Sequence, residues 1–136
     1  MRKLVLAFSS FILFVGCFSI DTSNPKEAYK YWAGVEVYEG IEIMNGEYYQ
    51  SPHFTLEYEF FLKFKPTKKW WNEFIVINNL EVDNQNVDWS AFTKLPKWFK
   101  PVSNYSIYSK NNDFDRSRYF IEEKSGICYI YETVGM

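Results

Sequence analysis

The chain of 136 residues has one histidine and two cysteines, and this scarcity excludes several classes of protein. A disulfide-stapled scaffold needs more cysteines, and a zinc module needs a cluster of cysteine and histidine ligands. The six glycines are scattered singly, so neither a phosphate-binding loop nor a dinucleotide-binding fingerprint is present. Long basic runs are also absent and the formal net charge is -2, which argues against nucleic acid as a partner.

Aromatic residues are the abundant class, because Phe, Tyr and Trp together make up 21% of the chain. The hydrophobic share is 47% and the charged share is 24%, values that exclude a disordered or collagen-like protein. A chain of 136 residues is long enough for one buried core and too short for two domains. We therefore expect one globular domain whose core or surface is unusually rich in rings.

The first residues have the pattern of a secretory signal. Met1-Arg2-Lys3 gives a positive start, and the apolar run from Leu4 to Val15 fits a signal core but is too short to span a bilayer as a stable helix. The segment Phe14-Val15-Gly16-Cys17 then resembles the lipobox of bacterial lipoproteins. An ordinary secretory signal with an accidental cysteine, or an uncleaved anchor, is the alternative.

The resemblance implies a diacylglycerol group on the Cys17 sulfur and cleavage just before that residue. Residues 1–16 are then a signal peptide, residues 17–24 a lipidated tether and residues 25–136 a single domain. Phe18 rather than Asp follows the cysteine, which by the same resemblance favours the outer membrane over retention in the inner one. We therefore expect a lipid-anchored protein of the cell envelope, on the outer membrane and facing the periplasm.

The domain is predicted to be α+β, with two helices and an antiparallel β-sheet of about five to six strands. Asn24 can cap a short helix over 25–33, since Pro25 suits its first position. Thr67 can cap the main packing helix over 68–78, along which apolar residues recur at helical spacing. Helices of this kind can cover one face of such a sheet.

Turn-forming and alternating residues locate the strands. The dipeptide Asn45-Gly46 predicts a hairpin turn. Apolar and mostly polar residues alternate from His53 to Lys65, which predicts one long strand with a buried face and a solvent-exposed (wet) face. Phe61 falls on the wet face. Two further strands are expected over 117–122 and 127–134.

A catalytic centre is not predicted. His53 and Cys128 could pair as base and nucleophile, but nothing beside Cys128 would activate it, and a structural cysteine is the simpler interpretation. Glu57 and Glu59 are spaced as in glycoside hydrolases, yet they continue a charged and solvated strand face. The oxygen-rich stretch 83–88 lacks the glycine and the closing glutamate of a helix-loop-helix calcium site. We therefore expect that the protein is not an enzyme and that it binds no metal or cofactor.

Aromatic residues that are adjacent in sequence point to a binding surface, because neighbours in a strand or helix cannot both face one core. Exposed Trp and Tyr are typical of protein interfaces and of sugar-binding platforms, and acidic residues can meet basic groups at the rim. A segment folded over the rings as a second layer is the alternative. The candidate partner-binding residues are Glu36, Glu42, Glu47, Glu57, Glu59, Tyr48, Tyr49, Trp70 and Trp98.

These features resemble, in general character, the periplasmic immunity lipoproteins that neutralise toxins delivered by rival cells, although no motif carries that likeness. The first hypothesis is therefore a non-catalytic, membrane-anchored protein that binds and neutralises a toxin. A structural or assembly role in the cell envelope is the second hypothesis. A module that binds glycan or peptidoglycan is the third. Nucleic acid is not an expected partner.

Overall fold

The computed structural model describes residues 18–53, 55–84, 95–101 and 104–135. The predicted signal peptide 1–16 and the predicted lipidation site Cys17 lie outside these ranges. No helix within them is long and apolar enough to cross a membrane. In chain order the elements are β1 (Ile20–Thr22), α1 (Pro25–Ala33), β2 (Glu42–Gln50), β3 (Tyr58–Lys65), α2 (Lys68–Ile77), β4 (Leu80–Val82), β5 (Ser106–Lys110), β6 (Arg118–Ile121) and β7 (Cys128–Val134).

The strands of the described ranges form one antiparallel sheet in the order β1-β2-β3-β7-β6-β5-β4. The predicted α+β class is confirmed at this level. The predicted number of strands is too low, because the sheet has seven in the part of the chain that the structure describes. The two edge strands, β1 and β4, have 3 residues each, which is too few to give a period-two pattern in the sequence.

Helix α1 lies over 25–33, as its capping residues predict. The Asn24 side-chain oxygen accepts hydrogen bonds from the backbone N–H groups of Lys26 and Glu27 at 3.1 and 3.2 Å. The helix ends at Gly34, which has φ 74° and can take this left-handed conformation without a side-chain clash. The N-cap and the C-cap thus fix both ends of α1.

Helix α2 is also close to its predicted position, and it ends at Ile77, one residue earlier than expected. The Thr67 hydroxyl accepts a hydrogen bond from the backbone N–H of Trp70 at 3.1 Å, which starts the helix. Trp71 is buried, and the Trp70 ring meets Phe64 of β3 edge-on at 5.3 Å. The apolar side of α2 therefore packs on the sheet. We call the side of the sheet that carries α1 and α2 the helix face.

The predicted hairpin turn at Asn45-Gly46 is wrong, because both residues lie inside β2. Gly46 has another role, since α1 crosses β2 at this point. A Cβ atom at Gly46 would lie 3.2 Å from Pro25 Cα and 3.3 Å from Ala28 Cβ. The glycine is needed for close approach of the helix to the strand and not for a turn. The connection between β2 and β3 is the loop over 51–57.

The predicted long strand is shorter than expected, and its second face is not wet throughout. Strand β3 begins at Tyr58 and not at His53. Phe61 faces away from the helices and is nevertheless only 5% exposed, because residues 95–101 cover it. The Phe99 ring meets Phe61 edge-on at 5.3 Å. We call this side of the sheet the second face. A covering segment is thus present, but the rings under it, Phe61 and Tyr129, are not the adjacent aromatic residues that the sequence alternative would cover, and Tyr49 stays exposed.

Strand β1 places part of the predicted tether in the sheet. Ile20, Asp21 and Thr22 pair with Gln50, Tyr49 and Tyr48 of β2. The ordered domain therefore begins at least five residues before the predicted boundary at Pro25. This pairing places Asp21 beside the C-terminal end of β2, in a segment for which the sequence predicts an extended linker.

The role of Gly46 can be tested with Gly46→Ala. We expect a loss of unfolding free energy of about 1–3 kcal/mol, because the added methyl group meets helix backbone that cannot move away cheaply. Urea denaturation followed by Trp fluorescence gives the value. Asn45→Ala, next to it on the opposite face of β2, is the matched control and should cost less than about 0.5 kcal/mol. Equal costs for the two variants would contradict the close-approach argument.

Candidate functional site

Pairing of the first three strands brings three carboxylates to one corner of the second face. Tyr49 of β2 lies between Asp21 of β1 and Glu59 of β3, since it pairs with both. Glu47, two residues before Tyr49, points to the same face and pairs with Phe61. Adjacent strands are about 4.8 Å apart, so Asp21 and Glu59 lie on either side of the Tyr49 ring with their backbones about 10 Å apart.

The segment over 95–101 borders this corner. Phe99 is buried and anchors the segment, because its ring also meets Tyr129 edge-on at 5.4 Å. Trp98 is only partly buried and donates a hydrogen bond to Glu47. We define the acidic face as Asp21, Glu47, Tyr49, Glu59 and Trp98. It joins two accessible rings to three carboxylates.

Burial affects the charges of the acidic face. It raises the pKa of Glu47, and the nearby Asp21 carboxylate adds to the rise, whereas the Trp98 hydrogen bond opposes it. Burial, reinforced by Glu59, also raises the pKa of Tyr131 to about 12. The Tyr131 hydroxyl therefore stays neutral and donates to Glu59 at 3.3 Å. The buried Tyr131 side chain thus helps to position the Glu59 carboxylate.

The structure brings together four of the nine predicted partner-binding residues, namely Glu47, Glu59, Tyr49 and Trp98. Tyr48 belongs to the other side of the sheet, where it is 4% exposed and stacks on Tyr58 at 5.5 Å. This division agrees with the expectation that only one ring of an adjacent pair faces a given core.

The remaining predicted residues lie apart from the acidic face. Glu36 follows α1 and forms an exposed ion pair with Lys30 at 2.8 Å. Glu42 starts β2, at the end of that strand remote from Tyr49. Glu57 lies in the loop before β3 and accepts a hydrogen bond from the Ser51 hydroxyl at 3.1 Å. Trp70 is on α2 and packs toward the helix face. Asp21, in contrast, belongs to the acidic face but is not one of the predicted residues.

His53 and Cys128 do not form a pair. His53 belongs to the loop before Tyr58, whereas Cys128 pairs with Phe64 near the other end of β3. At about 3.3 Å per residue these two ends are about 20 Å apart. Cys128 is fully buried, and this burial raises the pKa of its thiol far above the ordinary value, so the thiolate is disfavoured.

No cluster of His, Cys, Asp and Glu among the described residues could hold a metal ion. Most of the oxygen-rich stretch 83–88 lies outside the described ranges. Its first residue, Asp83, forms an ion pair with the Arg118 guanidinium at 3.2 Å. That carboxylate is therefore used to join β6 to the end of β4.

The sequence reasoning missed a buried carboxylate on the helix face, Glu132 of β7. It is 8% exposed and accepts hydrogen bonds from Trp32 Nε1 at 3.0 Å, from the Tyr119 hydroxyl at 2.5 Å and from the Tyr58 hydroxyl. Burial and the Glu132 charge raise the pKa of Tyr58 and Tyr119 well above the ordinary value, so both remain neutral donors. One carboxylate thus joins α1, β3 and β6.

One signal for Glu132 was present in the sequence. In the strand predicted over 127–134, Cys128, Ile130 and Glu132 occupy alternate positions and share a face. A charged residue on the apolar side of a strand indicates a buried polar partner. The partners themselves could not be named, because they lie 13, 74 and 100 residues away along the chain.

Comparison with known proteins assigns no family. Neither a protein-family model, nor a curated protein, nor a solved structure matches this chain.

The Glu132 network can be tested with Tyr58→Phe and Tyr119→Phe. Each variant should lose about 1–3 kcal/mol of unfolding free energy, because each removes one donor from a buried carboxylate. Glu132→Ala should cost more than either, since it leaves three donors without their acceptor, and one of them, on Tyr119, is fully buried. Urea denaturation measures all three. Tyr31→Phe, an exposed tyrosine, is the control and should change stability little. A strictly additive Tyr58/Tyr119 double variant would contradict the shared-acceptor network.

The raised pKa of Glu47 predicts how stability depends on pH. A carboxyl whose pKa is raised by folding favours the folded state at low pH and loses that contribution as pH rises. Glu47→Gln should therefore be more stable than the wild type at pH 7, since the glutamine carries no charge that burial and Asp21 disfavour. The difference should vanish below about pH 3.5, where the unfolded carboxyl is also protonated. Glu42→Gln on the same strand is the exposed control.

Proposed function

We propose that this protein is a non-catalytic binding protein of the bacterial envelope, anchored by a lipid on Cys17, that neutralises a toxin by covering a basic surface of it. The observation that supports this proposal is the acidic face, where Asp21, Glu47 and Glu59 surround the exposed ring of Tyr49. Such a combination of rings and like charges matches the anchors and charged rims of protein interfaces.

The clustering of these carboxylates is not explained by a gain in the stability of the fold. Burial and Asp21 both disfavour the charged form of Glu47, so the folded state is destabilised by the carboxylate that it holds there. Groups that reduce stability are typical of sites kept for function. A cationic partner would remove the repulsion between Glu47 and Asp21 on binding, because these two carboxylates would gain an opposite charge.

The acidic face suggests a division of roles between its members. Tyr49 is 40% exposed and Trp98 is partly buried, so their rings offer apolar area that a partner can cover. The carboxylates lie beside these rings and would attract a basic surface before contact, which speeds association. The proposed order is electrostatic encounter first and ring packing second.

The proposed anchor would hold this site close to the membrane. Because β1 starts at Ile20, the chain from Cys17 to the sheet is at most about 10 Å long when extended. Asp21 is part of both β1 and the acidic face. The partner would therefore be captured in the layer next to the membrane, where a toxin aimed at the envelope has to act.

The test compares two charge-reversed pairs of equal net charge. Glu47→Lys/Glu59→Lys changes the acidic face, and Glu36→Lys/Glu42→Lys changes exposed positions outside it. Tagged full-length protein is isolated from its native envelope after exposure to the secreted proteins of competing cells, and co-purifying proteins are identified. We expect a stoichiometric toxic partner that the first variant loses at least tenfold and the second retains.

Rate measurements on the purified pair complete the test. Raising the salt concentration from 50 to 300 mM should slow association with the wild type and have little effect on the Glu47→Lys/Glu59→Lys variant. Equal retention of the partner by both variants would refute the role of the acidic face. A resident envelope protein as the sole partner would refute toxin inhibition and favour the assembly hypothesis.

A further inference from the structure

A second concave site lies on the helix face, between α1 and α2. It is an open cleft of about 370 Å³, with Glu132 among its lining residues. Five aromatic residues also line it, and they come from α1, from the loop after α1 and from α2: Tyr29, Trp32, Tyr38, Trp70 and Phe74. Its size falls within the range of about 300–1,000 Å³ that is usual for small-molecule sites.

The charge in this cleft is not neutralised by its own hydrogen bonds. Trp32, Tyr58 and Tyr119 are neutral donors, so they hold the Glu132 carboxylate in place without cancelling its charge. In the described ranges Glu132 forms no ion pair. A buried negative charge is normally paired, and an unpaired one exerts a stronger field than it would in water.

Lys110 also lines the cleft, but it has a partner of its own. Its ammonium nitrogen lies 3.7 Å from the Asp115 carboxylate, which is 17% exposed. Lys110 and Asp115 together carry no net charge, so the charge of Glu132 remains. Lys110, Asp115 and Glu132 together carry a net charge of -1, and the cleft is lined with rings.

We propose that the cleft binds an organic ammonium group. Aromatic rings attract cations through their negative faces, and a ring-lined pocket recognises quaternary ammonium in particular. The Glu132 carboxylate adds the opposite charge at one side of the pocket. The ammonium group can belong to a small soluble amine or to a lysine side chain, and both present the same chemistry. This site is on the opposite side of the sheet from the acidic face and does not depend on the proposed function.

The experiment follows the indole N–H signal of Trp32 by ¹H–¹⁵N NMR. The full-length protein is kept in a non-ionic detergent and a phosphate buffer, since amine buffers would compete. Choline and n-butylammonium are titrated separately to 100 mM, the second as a mimic of a lysine side chain. The control ligand is 3,3-dimethyl-1-butanol, which has the shape of choline without its charge. We expect saturable shifts with at least one ammonium ion, with millimolar affinity, and none with the alcohol.

Variants assign the binding to the cleft. Glu132→Gln should weaken binding at least fivefold, because it removes the charge. Tyr38→Leu should weaken it without affecting the fold, since Tyr38 is 60% exposed. Tyr31→Leu is the matched control: it is also exposed, and its ring stacks on Tyr48 at 5.6 Å, away from the cleft. Lys110→Met should tighten binding, because it removes a positive charge from the lining.

Each result decides the proposal. Saturation by choline alone assigns the site to quaternary ammonium, and saturation by n-butylammonium alone assigns it to a primary amine such as lysine. Equal binding of the neutral alcohol would overturn the proposal, because the cleft would then recognise apolar shape. The absence of saturable shifts with both ions would overturn it as well. Weaker binding by Lys110→Met, or equal losses in Tyr38→Leu and Tyr31→Leu, would also refute it.

Discussion

The fold depends on one buried carboxylate. Glu132 is held by an indole from α1, a phenol from β3 and a phenol from β6, so three parts of the chain far apart in sequence meet at one group. A buried charge is costly unless its oxygen atoms accept hydrogen bonds. The indole and the two phenols donate these hydrogen bonds, and their rings also fill the core. The dependence is mutual. Burial, reinforced by the Glu132 charge, raises the pKa of Tyr58 and Tyr119, and the neutral phenols keep the carboxylate in place.

Both faces of the central strands are covered, and this decides where a binding surface can lie. The helices occupy one face, and Phe99 packs over Phe61 and Tyr129 on the other. On the second face, the corner formed by β1, β2 and β3 is left open. There the strand pairing places the side chains of Asp21, Tyr49 and Glu59 in a row. Among the described residues, most aromatic rings thus belong to the two covered layers.

Local signals predicted the helices, whereas features that depend on packing were missed. Asn24 and Thr67 cap the helices by contacts within four residues, so the sequence alone locates them. The role of Gly46 depends on a helix that crosses it, and that contact has no local signal. For the acidic face, reasoning from residue type selected Glu47, Tyr49, Glu59 and Trp98, but their grouping follows from strand register. Asp21 was missed because β1 has 3 residues and is stabilised by pairing rather than by its own pattern.

The two candidate sites lie on opposite faces of the sheet, and the register between β3 and β7 keeps Glu59 and Glu132 apart. On β3, Glu59 points to the second face and Phe60 to the helix face; on β7, Thr133 and Glu132 are their respective partners. A slip of one residue in β7 would turn Glu132 toward Glu59 and leave the hydroxyls of Tyr58 and Tyr119 without an acceptor. The slipped state would thus combine carboxylate repulsion on one face with unpaired donors on the other. The Glu132 network therefore does more than stabilise the native state: it penalises the alternative in which Glu132 would leave the cleft and face Glu59.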